Sequence, residues 1–164
     1  SWSRELEGKY IDYFTVWPVT PNFLDFFGVK VVAGNDFPKE RDREKIIFNE
    51  EFMKVNGFTE DIIGKEFEGF SPGDIVGVVE NIHFESLHES IKPMAFVVFP
   101  NKEYYNYVYL KLSGDHLPAT IAQIEKTWKK FTDKPFDLTF LDASMDALYK
   151  NETNTGNLIS TESH

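Results

Sequence analysis

The stretch DIVGVVENIHFESL, residues Asp74–Leu87, decides the fold. Its first half is a short apolar run of mainly β-branched residues, which predicts a strand that is covered on both faces. Regular alternation would place Ile75 and Val79 on one face of that strand, and Val76 and Val78 on the other. We therefore expect this strand at the centre of a sheet, with packed layers above and below it.

A glycine in the middle of the same strand indicates a close neighbour. Gly77 interrupts the apolar run, and an internal glycine weakens a strand unless another backbone or a bulky side chain lies close over it. We expect such a contact at Gly77. The run carries no catalytic motif, so by itself it predicts a core strand.

Composition limits the possible functions. The chain has 164 residues, of which 41% are hydrophobic and 16 are Phe, enough for about one domain with a Phe-rich core. A net charge of −10 argues against a nucleic-acid surface and against a polybasic patch for anionic lipid. The lack of cysteine excludes disulfides, thiolate metal sites and thiol nucleophiles.

The residues before the central strand predict a compact βαβ unit. Tyr10–Val19 is typical of a strand, and Val29–Ala33 of another. Between them, Thr20 can cap a two-turn helix that begins with Pro21 and ends at Gly28. Strand, helix and strand would form a crossover at the lower limit of connection length.

A second helix is predicted after the short strand Ile46–Phe48. Asn49 is suited to cap it, Phe52 and Val55 would form its inner face, and Gly57 would end it. One more helical turn over Thr59–Gly64 and a hairpin partner for the central strand over Lys65–Phe70 complete this region.

The C-terminal part predicts a second βαβ unit. After a strand over Met94–Phe99, the unit consists of the strand Asn106–Leu112, the helix Pro118–Phe131 and the strand Phe136–Leu141. The helix has one apolar stripe, formed by Leu117, Ile121, Ile124, Trp128 and Phe131. A last helix is expected from Asp142, with Met145 and Leu148 facing inward. The predicted class is therefore α+β, with two βαβ-type units.

A metal cluster could be drawn from His83, Glu85, His88 and Glu89. Ligands on a helix are spaced by three or four residues and on a strand by two, whereas His88 follows His83 by five. Solvated loop residues are the better interpretation, and no metal is predicted.

A tyrosine-rich segment is the other candidate site. With Trp2, its tyrosines could form a face that stacks carbohydrate or binds a partner, because Tyr and Trp are enriched at such surfaces. A sheet edge or an outer sheet face is the better interpretation of these tyrosines. The binding candidates are thus Tyr104, Tyr105, Tyr107, Tyr109, His83 and His88. No nucleophile elbow and no phosphate-binding glycine loop occurs, so we predict neither an enzyme nor a cofactor.

Three ordered stretches carry a resemblance to a known family. They are Val19–Lys30 with Gly34–Phe37, Ile47–Glu50 with Ile63–Lys65, and Ile75–Val79 with His83–Leu87. Their order and spacing resemble the periplasmic core domain of MacB-like ABC transporter permeases, the FtsX-like group. The resemblance covers roughly residues 10–157.

The resemblance implies an extracytoplasmic domain on the periplasmic face of the bacterial inner membrane, placed between the first two transmembrane helices of a permease. A cytoplasmic ATPase would drive helix movement, and the domain would pass it to a periplasmic partner or exported substrate, in efflux or mechanotransmission, without chemistry of its own. The permease would be a homodimer and would bind no nucleic acid. Residues 1–164 would be one domain, with a porter-like part at 1–48 and 91–150 and a smaller strand-rich insert at 49–90.

Two alternatives follow for the protein as a whole. In the permease, apolar spanning sequence is expected beyond Gly156, where this chain continues into polar residues. The alternative is a free-standing extracytoplasmic ligand-binding or sensor domain, with its site among the tyrosines and the His83–Glu89 loop.

Overall fold

The computed structural model describes residues 5–11, 13–40, 42–68, 72–82, 90–101, 107–141, 146–147 and 149–154. The chain divides into two compact units, residues 1–107 and residues 108–164. The first contains all the strands of the described chain, and the second contains its longest helix.

The first unit is a mixed sheet with short helices. Its elements are β1 (Glu5–Leu6), β2 (Lys9–Tyr10), β3 (Thr15–Pro18), α1 (Phe23–Phe27), β4 (Val31–Gly34), β5 (Glu44–Asn49), α2 (Glu50–Asn56), a 3₁₀ turn (Glu60–Ile62), β6 (Glu66–Glu68), β7 (Pro72–Val79) and β8 (Met94–Val98). The strand order is β3-β8-β5-β7-β4, with β6 also beside β7, and β1 pairs only with β2. β5 is parallel to β7, and β3 to β8, whereas the β5–β8, β4–β7 and β6–β7 pairs are antiparallel. The predicted α+β class is confirmed.

Both faces of this sheet are covered. One core contains Phe48 of β5 and Phe52 of α2, whose rings stack with centroids 3.7 Å apart. The opposite core contains Phe96 of β8 and Phe23 of α1, with centroids 5.2 Å apart. Burial of these rings, together with the aliphatic residues packed around them, drives the folding of the sheet unit.

A bulge changes the alternation predicted for β7. In the register between β5 and β7, Ile46 pairs with Ile75 and Ile47 pairs with Gly77, so that one residue of β7 is extra. As a result Val78 lies in the same core as Ile75, whereas Val79 packs in the opposite core. The predicted faces of these two valines were wrong because an inserted residue reverses the alternation beyond it.

The close contact expected at Gly77 is confirmed. A Cβ atom built on Gly77 would lie 2.4 Å from the carbonyl oxygen of Asn35 and 3.1 Å from that of Ala33. Gly34, which pairs with Gly77, has φ +72°, a conformation that favours glycine. These two glycines thus allow the paired strands β4 and β7 to lie close together.

The first βαβ unit differs from its prediction. The strands on either side of α1, β3 and β4, run in the same direction but lie at the two edges of the sheet, with β8, β5 and β7 between them. Thr20 does not cap α1 either, since its hydroxyl donates to the side chain of Asn22, 2.6 Å away. The left-handed ending at Gly28 is confirmed.

The second helix is largely as predicted. The side chain of Asn49 accepts a hydrogen bond from the Phe52 amide at 3.0 Å, and Gly57 ends the helix in the left-handed conformation. Val55 was wrong as an inner residue, because it is 59% exposed and Met53 is buried instead. Stacking of Phe52 on the sheet fixes the rotation of this short helix and turns Val55 outward. The helical turn at residues 60–62 and the hairpin strand β6 are confirmed.

The second unit is built on α3 (Leu117–Phe131), which confirms the predicted helix. The strands predicted beside it are not formed, since residues 107–112 and 136–141 have irregular backbone. A strand requires a neighbour that accepts and donates its backbone hydrogen bonds, and the described chain offers these segments no paired strand. Residues 146–147 and 149–154 are helical, whereas Asp142, Met145 and Leu148 lie outside the described residues.

The predicted division into porter-like part and insert stays a prediction. β5 and β8 belong to the former, apart from the last residue of β5, and β7 to the latter, yet the three strands are adjacent in one sheet. Within the described ranges, no helix is both long and apolar enough to cross a membrane.

Candidate functional site

The predicted binding residues are only partly described by the structure. His83, His88, Tyr104 and Tyr105 lie outside the described residues. Tyr107 is 79% exposed and Tyr109 is 39% exposed, both on irregular backbone. The tyrosine face and the histidine loop therefore stay predictions.

The chain segment between Asn81 and Lys92 is anchored at both ends to the start of α2. At one end, the side-chain oxygen of Asn81 accepts a hydrogen bond from the Glu51 amide at 2.9 Å. At the other, the side-chain amide of Asn49 donates to the Lys92 carbonyl at 2.9 Å, and its oxygen accepts from the Met94 amide at 2.9 Å. The segment that carries the predicted histidine loop is therefore held by polar contacts at its two ends.

Asn49 is the central residue of this arrangement. It is fully buried, and its side chain bonds three backbone groups, those of Phe52, Lys92 and Met94. One residue thus joins the end of β5, the first turn of α2 and the start of β8. Because a buried polar group is stable only when it is hydrogen-bonded, this side chain fixes all three elements together.

Hydrogen bonds also hold β3 and β4 at this end of the sheet, where β5 ends and β8 begins. The amide of Thr15, which begins β3, donates to the Pro93 carbonyl at 2.9 Å. Next to β4, the amide of Lys30 donates to the Glu80 carboxylate at 2.9 Å, and the Glu80 amide donates back to the Lys30 carbonyl at 3.0 Å. These bonds, together with those of Asn49, make this end of the sheet the candidate site of the first unit.

The opposite end of the central strands carries a cluster of ion pairs. The ammonium group of Lys45 lies 2.8 Å from Asp74 and 3.1 Å from Asp42. The guanidinium of Arg43 lies 3.1 Å from Asp74 and also pairs with Glu66. Asp74 therefore connects the starts of β5 and β7, while Arg43 links β5 to β6.

The pKa shifts agree with this reading. The hydrogen bond to Asp74 raises the pKa of Lys45 above its usual value, and the hydrogen bond from Lys45 lowers the pKa of Asp42. Glu66 likewise raises the pKa of Arg43. Each shift favours the charged form, which is the pattern of a structural ion-pair network and differs from that of a group tuned for acid–base catalysis.

The N-terminal hairpin is fastened over the core that contains α2. Leu6 is buried in that core, and Glu7 in the turn pairs with Lys65 at 3.0 Å. The ammonium group of Lys9 lies 3.2 Å from the carbonyl oxygen of Gly57, at the C-terminal end of α2, where a positive charge is favoured by the helix dipole. The hairpin adds a further layer to a rigid scaffold.

The described residues contain no group of three or more His, Cys, Asp or Glu side chains that could hold a metal ion. Their polar side chains are used to join strands and to fix loops. The arrangement holds chain segments at the two ends of the central strands.

Sequence reasoning missed part of this site. Asn49 was predicted as a helix cap, but its bonds to Lys92 and Met94 span more than 40 residues and leave no local signal. Lys45 lies outside the predicted strand Ile46–Phe48, although it belongs to β5 and its side chain is only 10% exposed. The signal that could have indicated its burial is its position directly before the apolar strand residues 46–48.

Comparison with known proteins finds the fold but not a sequence family. No protein-family model matches the chain, and no curated protein matches its sequence. Among solved structures, the periplasmic region of MacB from Actinobacillus actinomycetemcomitans aligns with 92% of this chain and 70% of its own, with a TM-score of 0.63 and 15% identity.

The chain has a MacB-like fold. A match over 92% of the residues cannot be confined to residues 1–107, so the likeness includes parts of both compact units. A domain of a protein named as a permease from Porphyromonas gingivalis also matches, at 19% identity over 79% of this chain and 69% of its own, with a TM-score of 0.48. At 15% identity, the likeness of this chain to the MacB region is one of fold. The role of each surface residue of this MacB-like domain has to be judged from its own contacts.

Proposed function

We propose that this chain is the periplasmic domain of an ABC transporter permease of the bacterial inner membrane. The domain has no enzymatic activity and passes ATP-driven movement of the membrane helices to a periplasmic partner or exported substrate. The observation that carries the proposal is the likeness of 92% of the chain to the periplasmic region of MacB.

The physical properties of the first unit support a mechanical role. A domain that transmits movement must deform less than it moves. Here one sheet is covered on both faces by aromatic cores. Asn49 joins its elements at one end of the strands, and the ion pairs of Asp74 join β5 and β7 at the other end. Close packing of this kind makes a protein interior stiff and able to transmit strain.

The partners follow from the same proposal. The ATPase would be cytoplasmic and would act through the membrane-spanning part of the protein. Two permease copies would form a homodimer, and the periplasmic surface would contact a partner protein or the exported substrate during efflux.

Movement of the domain can be measured in the full-length protein. We expect a spin label at Val55→Cys, an exposed position in the first unit, to report the distance between the two copies of the purified permease with its ATPase. Because this chain has no cysteine, only cysteines elsewhere in the protein need replacement. The distance distribution should shift when ATP is added to a form that binds but does not hydrolyse it.

The matched control places two labels within the first unit, at Val55→Cys and at Val32→Cys, which is 43% exposed. That distance should not change with ATP, since both positions belong to one stiff sheet unit. An unchanged distance between the copies when ATP binds would overturn the coupling, and the lack of any defined distance would overturn the homodimer.

A further inference from the structure

The last residue of α2 begins the only asparagine–glycine pair of the sequence. Asn56 is followed directly by Gly57. A glycine nitrogen reaches the preceding asparagine side chain easily, because glycine has no side chain of its own in the way, and asparagine is one of the residues that limit the resistance of proteins to heat. The residue types alone therefore mark Asn56 as a site of spontaneous deamidation.

Deamidation at such a pair needs no enzyme, and water is its only other reactant. The main-chain nitrogen of Gly57 attacks the side-chain carbonyl carbon of Asn56, and the new carbon–nitrogen bond closes an imide ring. The bond from that carbon to the side-chain nitrogen breaks, and this nitrogen leaves as ammonia with the proton of the Gly57 amide. Water then opens either carbon–nitrogen bond of the ring and gives aspartate or its β-linked isomer. The Gly57 nitrogen must therefore be free to move before the reaction begins.

The turn that ends α2 holds the attacking nitrogen in place. The Gly57 amide donates to the Lys54 carbonyl at 3.3 Å, and Gly57 has φ +64°. The next amide, that of Phe58, donates to the Met53 carbonyl at 2.9 Å. These two bonds are those of a Schellman motif. While they persist, the peptide group of Gly57 cannot rotate to bring its nitrogen onto the Asn56 side chain.

The side chain that would be attacked is held as well. The side-chain amide of Asn56 donates to the Phe52 carbonyl at 2.9 Å, four residues earlier in the helix. This part-buried bond directs the side chain back along α2, whereas the Gly57 nitrogen lies on its C-terminal side. Both reacting groups of the pair are therefore engaged in hydrogen bonds that the reaction has to break.

Lys9 of the N-terminal hairpin closes the same turn from outside the helix. Its ammonium group lies 3.2 Å from the Gly57 carbonyl oxygen and 3.4 Å from that of Asn56. It also lies 5.2 Å from the centre of the Phe58 ring, which stacks on Phe52 with centroids 6.1 Å apart. A distant segment of the chain thus holds both carbonyl groups of the reactive pair against a turn that is packed on the core.

We propose that Asn56 is a latent deamidation site, which the turn at the end of α2 and the contact with Lys9 keep closed in the folded domain. The reaction proceeds when this turn opens. Where water gives the β-linked isomer, an extra main-chain carbon lies within the turn, and the two bonds of the Schellman motif cannot form again together. The modification therefore makes the opening of this turn permanent and records that it has occurred.

Peptide mapping by mass spectrometry tests the proposal on the 164-residue chain at mildly alkaline pH. Asn56 should react at least about tenfold more slowly in the folded chain than in urea, because local opening must precede the attack. Lys9→Gln should speed the reaction of the folded chain roughly two- to fivefold, the effect of one cation at the C-terminal end of a helix, and leave the rate in urea unchanged. The control Lys39→Gln makes the same change in net charge at an exposed position and should react as the parent does.

Each part of the proposal has a result that would overturn it. A lack of modification at Asn56 in urea would remove the site itself. Equal rates in the folded and the unfolded chain would show that the turn does not close the site, and equal rates for Lys9→Gln and Lys39→Gln would remove the role of Lys9. Those outcomes leave the nucleotide-driven movement of the permease untouched, because this inference rests on the end of α2 alone.

Discussion

Gly77→Ala is expected to destabilise the protein by about 3 kcal/mol or more, because the added methyl group has no space. Its carbon would lie 2.4 Å from the Asn35 carbonyl oxygen, which belongs to the backbone and cannot rotate away. Relief of the clash requires β4 to separate from β7, which breaks ladder hydrogen bonds between Gly34 and Gly77 and their neighbours. Urea unfolding followed by circular dichroism measures the loss.

Gly28→Ala is the matched control for this prediction. Gly28 has φ +68° but nothing lies within 4 Å of a Cβ atom built there. Alanine at this position should therefore cost only the backbone strain of a left-handed residue, about 1 kcal/mol. If Gly28→Ala proved as damaging as Gly77→Ala, the close approach of β4 to β7 would not be the cause.

Asn49→Ala is expected to cost about 3 kcal/mol or more. The substitution leaves the amides of Phe52 and Met94 without their partner in a buried position and also removes the part-buried bond to the Lys92 carbonyl. Each unsatisfied buried group costs roughly 1–3 kcal/mol, although water entering the cavity would offset part of it. Urea unfolding again gives the change in the free energy of unfolding.

The same variant should also release the segment between Asn81 and Lys92. A protease specific for glutamate can cleave within it, at Glu85 and Glu89, and cleavage should be faster in Asn49→Ala. The control Asn56→Ala removes one half-buried bond to the Phe52 carbonyl, 2.9 Å long, and should cost about 1 kcal/mol without faster cleavage. Equal cleavage rates for the two variants would contradict the anchoring role of Asn49.

Features set by neighbouring residues were predictable from the sequence. The left-handed endings at Gly28 and Gly57 and the cap at Asn49 depend on backbone conformation within one turn. The amphipathic pattern of α3 is equally local. In each case the residue type and its position in the pattern are enough to predict the local backbone conformation or hydrogen bond.

Features that depend on pairing between distant segments were not predictable. The extra residue in β7 arises from its register with β5, and the separation of β3 from β4 arises from the insertion of three other strands between them. Residues 107–112 have the composition of a strand, but composition cannot supply a hydrogen-bonding neighbour. For the same reason, the hydrogen bond between the Asn49 side chain and the Met94 amide of β8 could not be predicted from the sequence.

The location of this domain is the most direct test of the account. In the natural gene product that contains this chain, with its other cysteines replaced, Val55→Cys should react with a membrane-impermeant maleimide in intact spheroplasts, because the position is 59% exposed. Ile47→Cys, at a fully buried position, should stay unlabelled and so report that the domain is folded. The account predicts labelling of Val55→Cys before the inner membrane is opened. Labelling only after the membrane is permeabilised would contradict a periplasmic permease domain.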